Sequence, residues 1–363
     1  MSDARELAAL LTPHVTATSG QTIVLLQPTD PAVLDAAVAT GATVHVAHRK
    51  WPAVLHLRER MRALGGDAAQ VRHGHGTHDL PPDMFADLVV ITIPEERIGW
   101  QQLLLDALTR LREGGRLLVG GANDVGAKPA AKLVARCMGD VRVLAQGGGQ
   151  RVFDAVRGAA CDLAMVRDLV APWDDPEAMH ALSWHVAGQA ARVFTRPGVF
   201  SWEHIDEASA ILADVMTPED ATDVLDLGCG AGVLGVALAR RAPNARLTLV
   251  DADREAVRCA ARTLQATGHA SYRVLASDVT SAVADERFDL VVSNPPFHDG
   301  KQVDLALSRR FVEEAFAVLR RGGRLQLVAN RTLPYEGELE RVFGNRRTLH
   351  DGVRFKVLEA RRS

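Results

Sequence analysis

At 363 residues, 47% hydrophobic and 24% charged, the chain is long enough to bury two separate cores and has the composition of a soluble globular protein. Its formal net charge of −3, with 18 basic and 21 acidic residues in 1–190 against 24 and 24 in 191–363, withholds the simplest argument for nucleic-acid binding. No apolar run approaches a membrane span, and Cys137, Cys161, Cys229 and Cys259 have neither CxxC nor zinc-finger spacing, so neither disulfides nor a structural metal is expected.

The opening stretch MSDARELAALL lacks the basic start, long apolar run and cleavage site of a secretory signal, so the expected location is the cytoplasm. From there strand-like apolar runs alternate with helical patterns, which predicts parallel α/β architecture. IVLLQPTDP (23–31) reads as a buried strand and its exit, and VHVAH ends a second strand at His48. HGHGTHD (73–79) offers His73, His75, His78 and Asp79, but the spacing fits no standard zinc motif and the glycines read as an exposed loop; no metal is expected. After the triple glycine Gly147 to Gly149 comes a last strand-like RVFDAV, and then the acidic, proline-bearing APWDDPEA. A break there divides the chain into 1–185 and 186–363.

The two parts repeat one another. FADLVVITIPEERI (85–98) aligns with RFDLVVSNPPFHDG (287–300), and LREGGRLLVGGAN (111–123) with LRRGGRLQLVAN (319–330), the mark of two copies of one fold. The first copy has lost its chemistry: IVLLQPTDP stands where the second has VLDLGCGAG (224–232), His48 where it has Asp251, and Thr92-Ile93-Pro94-Glu95 where it has Asn294-Pro295-Pro296-Phe297.

In the second copy VLDLGCGAGVLGVALARR (224–241) is a strand, a glycine turn and an amphipathic helix. Gly228, Gly230 and Gly232 permit backbone angles and a close ligand approach that side chains would block. Asp251, at the end of LTLVD, is placed to accept from ribose hydroxyls. These features alone fit NAD as well as other adenosine cofactors. A carboxylate at Asp226, just before the turn, would repel a pyrophosphate and suit a sulfonium bearing an ammonium group, which favours S-adenosyl-L-methionine. RVLASDV (273–279) ends a third strand with Ser277 and Asp278, where a carboxylate could accept from an adenine amino group. In SNPPFHDG (293–300) the prolines force the chain out of the sheet. The Asn294 side-chain oxygen and the Pro295 carbonyl could each accept one hydrogen of a planar amino group, with Phe297 stacked on its ring, a contact worth about 1–3 kcal/mol. From Arg341 onward seven Lys/Arg face two Asp/Glu, a composition that suits either a local basic face or a solvated helix and edge strand.

From about Phe194 to Val357 the chain closely resembles the RsmC family of small-subunit ribosomal RNA guanine methyltransferases, through RPGVFSWEHID (196–206), VLDLGCGAGVLG (224–235), SNPPFHDG, VANRTLPY (328–335) and RFKV (354–357). The resemblance extends more loosely over the first half, because that family carries a degenerate methyltransferase-like domain ahead of the catalytic one. It implies two tandem Rossmann-like class I methyltransferase domains and transfer of a methyl group to a guanine 2-amino group in 16S rRNA. S-adenosyl-L-methionine would be the cofactor and S-adenosyl-L-homocysteine the product. Carried over by position, Gly228, Gly230, Gly232, Asp251 and Asp278 hold the cofactor with Asp226, Ser277 and Asn294. Phe200 and Ser201 of GVFS close over it. Asn294, Pro295 and Phe297 act on the base, with Pro296 and His298 beside it. The sequence departs from the family at Trp202 and Glu203, which make that strip bulkier than usual. The expected partner is ribosomal RNA, 16S within a small-subunit particle, bound by a monomer. Rival readings are a large-subunit (23S) RNA guanine methyltransferase, a protein glutamine methyltransferase, an RNA-binding module without catalysis, and an NAD oxidoreductase.

Overall fold

The computed structural model describes residues 3–296 and 305–363, and the chain divides into two units, Met1–Ala178 and Met179–Ser363. In the first unit the strands are β1 (Thr22–Leu26), β2 (Thr43–His48), β3 (Val71–His73), β4 (Ala86–Thr92), β5 (Leu111–Ala122), β6 (Val141–Gly147) and β7 (Gln150–Val156), in sheet order β3-β2-β1-β4-β5-β7-β6. The second unit opens with a separate hairpin, β8 (His180–Val186) and β9 (Gln189–Thr195). Its sheet consists of β10 (Asp223–Leu227), β11 (Arg246–Asp251), β12 (Tyr272–Ala276), β13 (Phe288–Ser293), β14 (Leu319–Asn330), β15 (Arg347–Asp351) and β16 (Phe355–Arg361), in the order β12-β11-β10-β13-β14-β16-β15. The two orders are the same, so the internal repeat is a repeat of topology. Even the register shift is repeated, between Ala86 and Leu88 in one sheet and between Phe288 and Leu290 in the other.

The sheets are parallel except where β7 and β16 run antiparallel to β5 and β14. The triple glycine explains the first exception: Gly148 and Gly149, at φ 55° and 80°, make the tight turn that returns β6 into β7. The central strands are covered on both faces, with Ile23, Val24, Leu25 and Leu26 in one unit and Val224, Leu225 and Asp226 in the other fully buried. Such burial is worth roughly 1.5–3 kcal/mol for each large aliphatic side chain and accounts for near-continuous apolar strands. The division between units falls ahead of 185/186 because the β8–β9 hairpin packs on the helix Arg254–Thr267 of the second unit. There the Phe194 N–H donates to the Thr263 hydroxyl (2.8 Å), and buried Arg196 pairs with buried Glu255 (3.1 Å).

The first unit keeps the left-handed turn that follows the first strand but has glutamine where the second unit has glycine. Gln27 follows β1 as Gly228 follows β10, at φ 58° and 75°, and each donates its N–H to the end of the neighbouring strand (Ala47 O and Val250 O, both 2.9 Å). The Gln27 side chain then donates to the His75 carbonyl (2.7 Å) and accepts from the Arg49 N–H (3.1 Å). It is buried and binds together the chain just beyond the ends of β1, β2 and β3.

Candidate active site

The C-terminal ends of β10, β11, β12 and β13 lie side by side, on both sides of the point where the chain order reverses between β10 and β13. Ligands of open parallel sheets bind at that crevice. The Ser293 hydroxyl donates to the Leu227 carbonyl (2.7 Å), which ties the ends of β10 and β13 together.

After β10 the chain passes through Gly228, Gly230 and Gly232 at φ 75°, 52° and 83° before the helix Val233–Arg241. The three glycines answer different needs. A Cβ on Gly228 would meet the Phe311 ring at 3.2 Å, and one on Gly232 the Ala260 backbone at 3.2 Å, so these two permit close packing. A Cβ on Gly230 would meet nothing within 4 Å, which leaves the open side of the turn as a cradle. Asp251 holds the cradle: its two carboxylate oxygens accept from the Gly230 and Asp253 N–H groups, both at 2.8 Å.

Asp226 is fully buried, and neither of its oxygens has a hydrogen-bond partner in good geometry. Burial first, and the nearby Asp251 second, push its carboxyl up to about 8, while the Gly235 N–H pulls weakly the other way. The carboxylate expected from sequence is therefore largely a carboxylic acid at neutral pH, awaiting a cation. Because the folded pKa lies near 8 against the usual 3.8, this group's contribution to stability is full below the lower value and lost as pH rises through the upper one. Asp226→Asn, which cannot ionise, is expected to show a melting-temperature advantage over the parent that widens from about pH 5 to about pH 9. A pH-independent difference between the two melting curves would contradict the buried proton.

Beyond β12 the Ser277 N–H donates to the Asp251 carbonyl (2.9 Å), and its hydroxyl is turned inward to accept from the Ala282 N–H (3.0 Å). Asp278 pairs with Arg310 through one carboxylate oxygen (3.0 Å). Phe200 is 64% exposed, and Ser201, at φ 54°, donates to the His204 carbonyl (2.9 Å). Trp202, the bulky departure, packs on the hydrophobic core of its unit. Pro295 is buried and Pro296 exposed, while Phe297 and His298 lie outside the described residues.

The geometry around Asn294 was not foreseen from the sequence. Its Nδ2 donates to Asp206 Oδ2 and to Ser209 Oγ, both at 2.9 Å, and its Oδ1 is buried without a partner among the described residues. Asp206 also caps the helix Glu207–Val215 by accepting from the Ser209 N–H (2.8 Å). An aspartate just ahead of an apolar helical pattern signals that cap, but nothing in the pattern points to Asn294.

Two other stretches resolve differently. His78 faces Asp79 (3.2 Å) and Asp106 (3.3 Å), and His73 meets the Arg49 carbonyl (2.8 Å). Among the described residues no three His, Cys, Asp or Glu side chains converge as a metal site would require. The C-terminal cations are internally engaged: Arg341 with Glu313, Arg346 with Glu340, Arg347 with Glu359, Arg354 with Glu207 and Lys356 with Glu336. Arg361 and Arg362 donate to the Gly322 and Phe316 carbonyls. Of the two readings left open by the composition, these pairings favour the solvated helix and edge strand over a free basic face.

The methyltransferase small domain family matches residues 190–359. The ribosomal RNA small subunit methyltransferase C of Escherichia coli is 37% identical over 274 residues, covering 76% of this chain and 75% of its own, and that of Shigella dysenteriae matches to the same extent. The structure of the T. thermophilus 16S rRNA N2 G1207 methyltransferase, in complex with AdoMet and guanosine, superposes with a TM-score of 0.81 at 30% identity, covering 99% of this chain and 92% of that one.

Proposed function

The chain belongs to the ribosomal RNA small subunit methyltransferase C family, and from that premise we propose that its second unit uses S-adenosyl-L-methionine to methylate the 2-amino group of a guanine in 16S rRNA, the one numbered G1207 in the T. thermophilus relative's name. The observation that carries the reading is the buried, unpartnered Asn294 Oδ1 at the end of β13, next to the glycine cradle at the end of β10.

The cofactor fits the residues present. Gly228, Gly230 and Gly232 cradle it, Asp251 takes the ribose and Asp278 the adenine amino group. Asp226 would face the methionine end, where a neighbouring cation would favour its carboxylate form, the proton passing to solvent. Ser277 supports the adenine side through the backbone, and Phe200 and Ser201 lie on the linker side. The sulfonium supplies an activated methyl group. The protein therefore has mainly to position the nitrogen, an effect worth about 7–11 kcal/mol of barrier. Asn294 Oδ1 and the Pro295 carbonyl each accept one hydrogen of the guanine amino group. This fixes the nitrogen and turns its lone pair out of conjugation toward the methyl carbon. No general base is needed beforehand, since the proton leaves the alkylated nitrogen afterwards. Pro296 follows on the base side, and by the family resemblance a base stacked on Phe297 would offset part of the few kcal/mol needed to unstack it, with His298 beside it.

The first unit, with Gln27 where the second unit has glycine, serves stability and RNA placement without binding cofactor. The same reading takes a small-subunit particle as substrate and a monomer as the working form. The relatives' names favour this RNA over large-subunit RNA or a protein glutamine. Incubating the protein and labelled cofactor with small subunits, large subunits and a glutamine peptide is expected to label only the first, at one guanine by mass spectrometry. Label in the large subunit or the peptide would overturn the assignment.

A further inference from the structure

We infer that Asp206 and Ser209 are positioning residues for methyl transfer: together they lock the Asn294 amide so that its oxygen, and not its nitrogen, faces the base. The inference rests on the reading of Asn294 given above and extends it to residues outside the Asn-Pro-Pro segment.

A primary amide has two faces of similar shape, one donating and one accepting, and a free asparagine can present either. Asn294 has no such choice. One Nδ2 hydrogen goes to Asp206 Oδ2 and the other to Ser209 Oγ, each at 2.9 Å. A carboxylate only accepts, so an amide rotated by half a turn would set Oδ1 against Oδ2, acceptor against acceptor. Asp206 thus dictates which end of the amide is buried against it and leaves Oδ1 unpartnered for an incoming N–H. Asp206 cannot swing aside, because the same Oδ2 is held by the Ser209 N–H at 2.8 Å in the first turn of the helix Glu207–Val215. The arrangement also acts on charge. Hydrogen bonds in series polarise one another, so a carboxylate on the amide nitrogen makes Oδ1 a stronger acceptor. That gain is largest as the guanine nitrogen takes on positive charge during transfer, which places the effect on turnover and not on binding.

Asp206→Asn separates this role from helix capping, because asparagine caps a helix about as well as aspartate does. Because one oxygen serves both contacts, an asparagine whose oxygen takes that place keeps the cap and the contact to Asn294 but removes the negative charge that polarises the amide, and one turned the other way gives up cap and lock together. With small ribosomal subunits lacking the methyl group as substrate, Asp206→Asn is expected to lower kcat about 10- to 100-fold, with KM for the subunit, cofactor affinity and melting temperature near those of the parent. Ser209→Ala, which keeps the backbone cap, should lower kcat by a smaller factor. In the Asn294→Ala background neither substitution should cost anything further, since both act through that amide. Parental kcat in Asp206→Asn, or losses that multiply with that of Asn294→Ala, would overturn the inference. Failure of the parent itself to methylate small subunits would instead refute the reading on which it rests.

Discussion

Replacing Asn294 with alanine is expected to cut methyl transfer about 100- to 1000-fold while leaving S-adenosyl-L-methionine affinity within about twofold of the parent, the size of effect seen when one preorganised group is removed from a reacting centre. The substitution takes away the buried Oδ1, one of two acceptors for the guanine amino group, and leaves the Gly228–Gly232 turn and Asp251 untouched. Without that acceptor the nitrogen keeps its lone pair in conjugation and loses its alignment. Single-turnover transfer of a labelled methyl group, with calorimetry for the cofactor, separates the two quantities. Parental turnover in the variant would refute the role given to Asn294.

Asp251→Ala should fail in the opposite way, with cofactor affinity falling about 100-fold or more and turnover at saturating cofactor near the parental value. Two losses combine here. The ribose loses charge-assisted acceptors worth about 1.5–3 kcal/mol each, and about 1.4 kcal/mol is already tenfold in affinity. The turn loses the anchor that receives the Gly230 N–H at 2.8 Å and holds the cradle open. Titration calorimetry gives the affinity directly. If Asp251→Ala bound cofactor normally and failed only in transfer, the roles assigned to Asp251 and Asn294 would have to be exchanged.

Much of this organisation is legible in the amino-acid sequence. The strand order repeats because the apolar runs repeat, the glycine turn and Asn294 stand at strand ends where glycine or proline marks the exit, and Asp251 closes the run LTLV. What cannot be read are contacts between distant residues. Asn294 meets Asp206 and Ser209 across 88 and 85 positions, and locally those two residues spell only a helix start. The paired Arg196 and Glu255 look like surface charges in a one-dimensional reading, yet both are buried. In the first unit the sequence shows a missing glycine but not that Gln27 keeps the left-handed backbone and ties neighbouring strand ends with its own side chain. Asp226 is visible as an acid, whereas its proton depends on burial and on Asp251, which only the folded chain brings together. The basic C-terminal stretch leaves two readings open for the same reason, since its acidic partners come from other elements.

The most direct test of the whole account is a crystal structure with S-adenosyl-L-homocysteine and guanosine bound together. It should place the guanine amino nitrogen about 3 Å from both Asn294 Oδ1 and the Pro295 carbonyl, on the side facing the cofactor sulfur, with Nδ2 still on Asp206 and Ser209. An amide turned so that Nδ2 meets the base, or an amino nitrogen bound out of reach of the sulfur, would contradict it.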